Sequence, residues 1–185
     1  MDPRRFAVAA LVLTCGVGIG TPLRVADAQQ APAHDAADEG KRVFKRANCM
    51  GCHKWHGNGG GGYGGDALSL RNTELTREQI IEVVRCGRPG TGMPFHLRGA
   101  YVAEPCYHLK QEQLTGMMPP EAATFLRPGE VDAVSDYVIA HVKGKGEPDY
   151  ADCIAFFGEG SRVCDIYKTQ PNTGRASDNA PGKGN

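Results

Sequence analysis

The chain has 185 residues, 21 Lys and Arg against 21 Asp and Glu, and 41% hydrophobic residues. That length suits one domain with tails. The zero formal charge lacks the basic excess of a nucleic-acid binder, and no apolar run reaches the roughly 18 residues of a membrane-spanning helix. The unusual numbers are 25 Gly and 7 Cys.

The first residues read as an address. Arg4 and Arg5 precede the apolar run Phe6 to Ile19, and Val25-Ala26-Asp27-Ala28 offers a small-residue cleavage site. This is the pattern of a secretory signal, cut after Ala28. Cys15 falls inside it, where Val12-Leu13-Thr14-Cys15 is a poor lipoprotein box. Six Cys then remain, in surroundings expected to be oxidising.

The predicted plan is a signal over 1–28, a flexible lead-in over 29–37 and a domain over 38–144. A Cys-bounded extension over 145–168 and a disordered tail over 169–185 follow. Within the domain a first helix is expected from about Asp38 to Asn48, with Gly40, Val43, Phe44 and Ala47 on one face. Gly57 to Gly65 holds seven Gly in nine positions and reads as loop. It is no P-loop, since no G-K-[ST] follows. A second helix has Thr76 as N-cap, Gln79 three residues on, and Gly87 as its stop. A third runs from Pro128 to about Lys143 with the stripe Val131, Val134, Val138 and Val142, and Tyr137 beside it. The 87–127 segment between these two helices contains five Pro and is long for a structureless loop, which signals function or bracing. No strand pattern stands out beyond a short pair there. In the extension, Ile154, Phe156 and Phe157 form the apolar core between Cys153 and Cys164.

The chemistry sits in Cys49-Met50-Gly51-Cys52-His53, the C-x-x-C-H of covalent haem attachment. Two thiols three positions apart reach the two vinyl groups of one haem, and the adjacent imidazole lands on its iron. A redox C-x-x-C would want a strand-turn-helix context. Zinc would need Cys49, Cys52, His53 and His56 crowded into eight residues.

With these residues in view, the chain resembles the class I monohaem c-type cytochromes. The resemblance runs from about Asp38 to Lys143. It rests on Gly40-x-x-x-Phe44 ahead of the motif, on Gly87-Arg88-Pro89-Gly90-Thr91-Gly92-Met93-Pro94, and on the last helix with Tyr137. It implies an all-α domain of three to four helices wrapped around one covalent haem c, with the first and last helices crossing so that Gly40 and Phe44 pack on Tyr137 and Val138. Cys49 and Cys52 would tether the haem and His53 would be the proximal ligand. A thioether opposite it would come from Met93 or, as the alternative, Met118 in Gly116-Met117-Met118-Pro119-Pro120; Met117 or a His stands behind them. The Met not used would pack at the haem edge.

The resemblance also implies that the segment after the motif hugs the haem, with Asp66 to Leu70 bringing a Leu onto it. Trp55 is placed either at the haem edge or in packing. His96 and His108 are ligand candidates whose ordinary reading is exposure or hydrogen bonding; His56 lies too near His53 to reach the other haem face, and His34 and His141 read as surface. Cys86, Cys106, Cys153 and Cys164 allow three pairings; the local one, Cys86 with Cys106 and Cys153 with Cys164, would brace the Pro-rich loop and close the extension.

The function so implied is a periplasmic single-electron carrier and not an enzyme. It would accept electrons from a periplasmic dehydrogenase, or serve as the cytochrome subunit of one, and pass them to another cytochrome or a terminal oxidase. The rivals are a haem enzyme or sensor with an open sixth site, peroxidase-like or gas-binding, and a zinc-binding module. A near-zero charge points to an apolar docking rim over strong electrostatic steering.

Overall fold

The computed structural model describes residues 33–60, 67–103 and 105–169. The expected signal with Cys15, Asp66 and nearly all of the expected tail lie outside them. Among the described residues five helices follow in order: α1 (Ala33–Arg46), α2 (Cys49–His53), α3 (Arg77–Cys86), α4 (Pro128–His141) and α5 (Tyr150–Phe157), with 3-10 turns at Gln111–Leu114 and Arg162–Tyr167. Among the described residues there is no strand. The expected pair in the Pro-rich segment reduces to two single bridges, Phe95 with Glu121 and Cys106 with Leu109.

Local signals placed α3 and α4 well. The Thr76 hydroxyl accepts from the Gln79 amide and the Gln79 side chain accepts from the Thr76 amide, so two orphan donors of α3 are satisfied at once. Gly87 ends it at φ 65°. Pro128 opens α4, where its missing N–H costs nothing. Helix α1, by contrast, begins at Ala33, five residues ahead of the expected Asp38. The run Ala33-His34-Asp35-Ala36-Ala37 is rich in Ala, the best helix former, so it extends the helix it precedes.

Helices α1 and α4 cross, and the crossing turns on Gly40. A Cβ at that position would stand 2.2 Å from the Ala133 carbonyl oxygen and 2.5 Å from Tyr137 Cβ. One turn on, Phe44 meets Tyr137 with ring centroids 5.7 Å apart. Val131, Val134, Val138 and Val142 are all buried, as their spacing predicts, and join Val43, Phe44 and Ile80 in the main core. Burying each such side chain stabilises by about 1.5–3 kcal/mol.

The C-terminal extension corrects the expectation of a module with its own core. Phe156 belongs to the main core, with Phe157 packed beside it. Its ring meets Phe44 at 6.4 Å edge-on. The lysines of α1 explain the docking: Lys41 Nζ donates to Ala155 O and Lys45 Nζ to Phe156 O. Two cations thus cap the carbonyl end of α5, where its dipole is negative. The Cys153–Cys164 disulfide closes the extension.

A second cluster gathers on the Cys86–Cys106 disulfide, with Phe95, Ala100, Tyr101 and Leu114 buried around it. The Pro-rich segment is therefore a braced collar with a small core of its own.

Candidate functional site

After α1, Asn48 takes a left-handed φ of 58° and turns the chain into the single helical turn of α2. Three positions apart on that turn, Cys49 and Cys52 are free thiols, while Cys86, Cys106, Cys153 and Cys164 are paired. Burial pushes the Cys49 thiol up to about 12. A redox C-x-x-C lowers its attacking thiol instead.

His53 is held by its Nδ1, 3.1 Å from the Leu68 carbonyl oxygen. A carbonyl only accepts, so Nδ1 carries the proton and Nε2 keeps its lone pair for a metal. Burial lowers the pKa of His53 against the effect of that hydrogen bond, and the Arg88 charge lowers it further, which keeps the ring neutral. The Gly-rich loop delivers Leu68 to this position. Gly59 N donates to His53 O, Gly60 N to Ala67 O, and Leu70 N to Gly57 O. A Cβ on Gly59 would stand 2.1 Å from Ala67 O, so only glycine permits the approach. Leu68 itself is 66% exposed, an apolar surface beside the histidine that a porphyrin would cover.

The two methionine segments lie side by side. Gly90 N donates to Met117 O and Phe95 N to Pro120 O, so Arg88–Phe95 runs along Met117–Glu121. Within its turn Met93 is tied through its backbone, its carbonyl accepting from Arg88 N and its amide donating to Thr91 Oγ1. Met118 packs against the collar cluster, whereas Met93 joins neither cluster. Met117 is 50% exposed.

Other candidates find ordinary places. His96 is buried, its Nδ1 donating to Thr124 O at 2.8 Å. His108 is exposed and the side chain of His34 lies outside the described residues. His141 is exposed and stacks on Tyr137. His56 accepts from Asn58 N. No three His, Cys, Asp or Glu among the described residues converge as metal ligands. Trp55 turns to the C-terminal extension, with Phe156, Phe157 and Tyr167 rings 5.6–5.8 Å away. Packing is therefore its role in this structure.

Free thiols on one turn, a neutral imidazole with an open Nε2, and an uncovered Leu beside it fit one covalent haem. A family model described as cytochrome c oxidase, cbb3-type, subunit III, matches residues 35–103. The match supports a c-type cytochrome domain over residues 35–103. It is consistent with the class I monohaem cytochromes, and its cofactor is covalently bound haem c. No curated protein and no solved structure matches the chain at a significant level.

Three residues with long-range hydrogen bonds escaped the sequence reading. Arg71 is a buried guanidinium behind the motif: its Nε donates to His56 O at 2.6 Å, it donates to Gly146 O, and it faces Asp152 at 3.5 Å. Tyr101 and Tyr107 donate their hydroxyls to Cys86 O and Gly87 O. None carries a local sequence signal, because every partner is at least fifteen residues away.

Proposed function

We propose that this cytochrome is an exported, periplasmic single-electron carrier with one haem. Cys49 and Cys52 would hold the haem as thioethers, and His53 Nε2 and Met93 would ligate its iron, with Met118 the alternative to Met93. The haem supplies a one-electron Fe(II)/Fe(III) couple, whose potential the protein tunes through ligand, burial and hydrogen bonding. The observation that carries the reading is His53, locked through Nδ1 to Leu68 O beside two unpaired thiols.

Met93 is favoured over Met118 because Met118 is engaged in the collar's packing while Met93 sits in neither core. A thioether there would leave no open iron site for oxygen or peroxide, which suits a carrier over an enzyme. Export follows from the Arg4-Arg5 signal pattern, and the mature chain would begin at Gln29. A periplasmic dehydrogenase is the proposed donor and another cytochrome or a terminal oxidase the acceptor.

The test is the absorption spectrum of oxidised protein matured in cells that attach haem. The weak long-wavelength sulfur-to-iron band is expected, lost in Met93→Ala and kept in Met118→Ala. Loss in Met118→Ala alone moves the ligand to that residue. An attached haem without the band in the parent protein indicates a His ligand or an open site; CO binding by the reduced protein then marks the open site of an enzyme or sensor and overturns the carrier reading.

A further inference from the structure

Helix α3 ends in carbonyls that its own backbone cannot all satisfy, and the collar takes them up one after another. Val83 O accepts from Gly87 N within the cap. Val84 O accepts from His96 N at 3.2 Å and Arg85 O from Leu97 N at 2.9 Å. Cys86 O accepts from the Tyr101 hydroxyl at 2.7 Å and Gly87 O from the Tyr107 hydroxyl at 2.6 Å. The segment Arg88–Pro94 is thus an excursion whose two ends are both fastened to the same helix end. Its interior is closed as well. A Cβ on Gly87 would stand 2.6 Å from Met93 O and 2.8 Å from Phe95 N.

We infer that Tyr101 and Tyr107 are positioning residues for the distal thioether, their hydroxyls locking the turn that carries Met93 onto the disulfide-braced end of α3. The inference rests on the reading of Met93 as the distal ligand. A methionine leaves iron when its loop swings away, and here the loop cannot swing without breaking hydrogen bonds to carbonyls that have no other partner within α3. The collar is rigid enough to act this way. Cys86, the last residue of α3, is bonded to Cys106, next to Tyr107. Tyr107 N donates to Glu82 Oε1 on the same helix. Tyr101 and Tyr107 both sit at positive φ, a conformation costly for non-glycine residues that persists where the surrounding structure holds it. Burial, before the nearby Tyr101 and Glu82, raises the Tyr107 hydroxyl to about 12, so it remains a donor throughout the physiological range.

The experiment uses the haem-loaded full protein and imidazole as a competing ligand, followed by loss of the sulfur-to-iron band. Tyr101→Phe and Tyr107→Phe keep both rings and remove only the hydroxyls. Each is expected to bind imidazole about fivefold more tightly than the parent, and the double variant more tightly still, because one net hydrogen bond is worth about that factor. Tyr167→Phe, on the far extension, should leave imidazole affinity unchanged. A purely structural role would lower the melting temperature of the Phe variants without moving imidazole affinity, and that result overturns the inference while the ligand reading stands. Loss of the band in Met118→Ala and not in Met93→Ala overturns the ligand reading and this inference with it. In the unaltered protein the amides of Arg88 and Gly90 should exchange with solvent as slowly as that of His96; fast exchange confined to those two would show the turn unclamped and sink the inference without any variant.

Discussion

At Gly40 a single missing methyl group decides how closely two helices approach. The atom a side chain would meet first is a backbone oxygen of α4, which cannot rotate away. Gly40→Ala is therefore expected to destabilise the holo-protein by about 2–3 kcal/mol, the usual cost of forcing volume into a packed contact. Thermal unfolding checks this, and an unchanged midpoint would mean the crossing is looser than its geometry. Ser135 is the opposite case. Its hydroxyl is fully buried on α4 with no hydrogen-bond partner. A buried hydroxyl without a partner carries its desolvation cost uncompensated. Ser135→Ala should be neutral or stabilising by up to about 1 kcal/mol; a clear loss of stability would reveal that the hydroxyl has work to do once haem is in place. Gly40 was legible in the sequence through its spacing to Phe44 and the motif. Ser135 was not, since a serine among valines looks like any polar interruption until its surroundings are known.

Among the elements, α4 owes its start to Glu130. The carboxylate accepts from the Arg127 amide at 2.7 Å, from the Arg127 guanidinium at 3.0 Å, and from Arg46 of α1 at 2.8 Å. These hydrogen bonds, the Arg127 side chain first, hold its pKa down at about 2 from an ordinary 4.5. A carboxyl held below its unfolded value stabilises the fold above about pH 4.5, and that stability drains away as pH falls toward 2. Glu130→Gln keeps the capping geometry and removes the charge. Because Arg127 is largely exposed and Arg46 about half exposed, the loss at neutral pH should be only about 0.5–1 kcal/mol. Denaturant titrations of parent and variant are expected to diverge at pH 7 and converge near pH 2; a constant gap would assign the effect to shape and not to charge. The boundaries of α3 and α4 were readable because caps, prolines and glycines act within four residues of themselves. The collar was readable only as a long Pro-rich segment with a cysteine at each end of its first half. The tyrosine hydroxyls that fasten it to α3 reach across fifteen and twenty residues, and nothing in their immediate neighbours announces it.

For the molecule as a whole, the question is whether the chain beyond Gly144 is an appendage or part of the domain. Sequence alone suggested an appendage, a short Cys-bounded extension over 145–168 outside the domain. The structure ties that stretch inward at three independent points. Phe156 fills the core against Phe44 and Trp55. Lys41 and Lys45 of α1 cap the end of α5. The buried Arg71, which grips the chain three residues after His53, takes both an acceptor (Gly146 O) and a counter-charge (Asp152) from the extension. Truncation after Gly144 removes an aromatic from the core and strands a buried guanidinium, each a loss of about 3–5 kcal/mol taken alone. That approaches the entire stability of a small domain, so the truncated chain is expected to melt far below the parent and to accumulate less haem-loaded protein. Phe156→Ala separates the two causes. It should reproduce the packing loss, about 3–5 kcal/mol in a denaturant melt, while leaving Arg71 its partners. If both variants instead melt with the parent, the extension is dispensable to the fold, and its place would have to be explained by what docks on it.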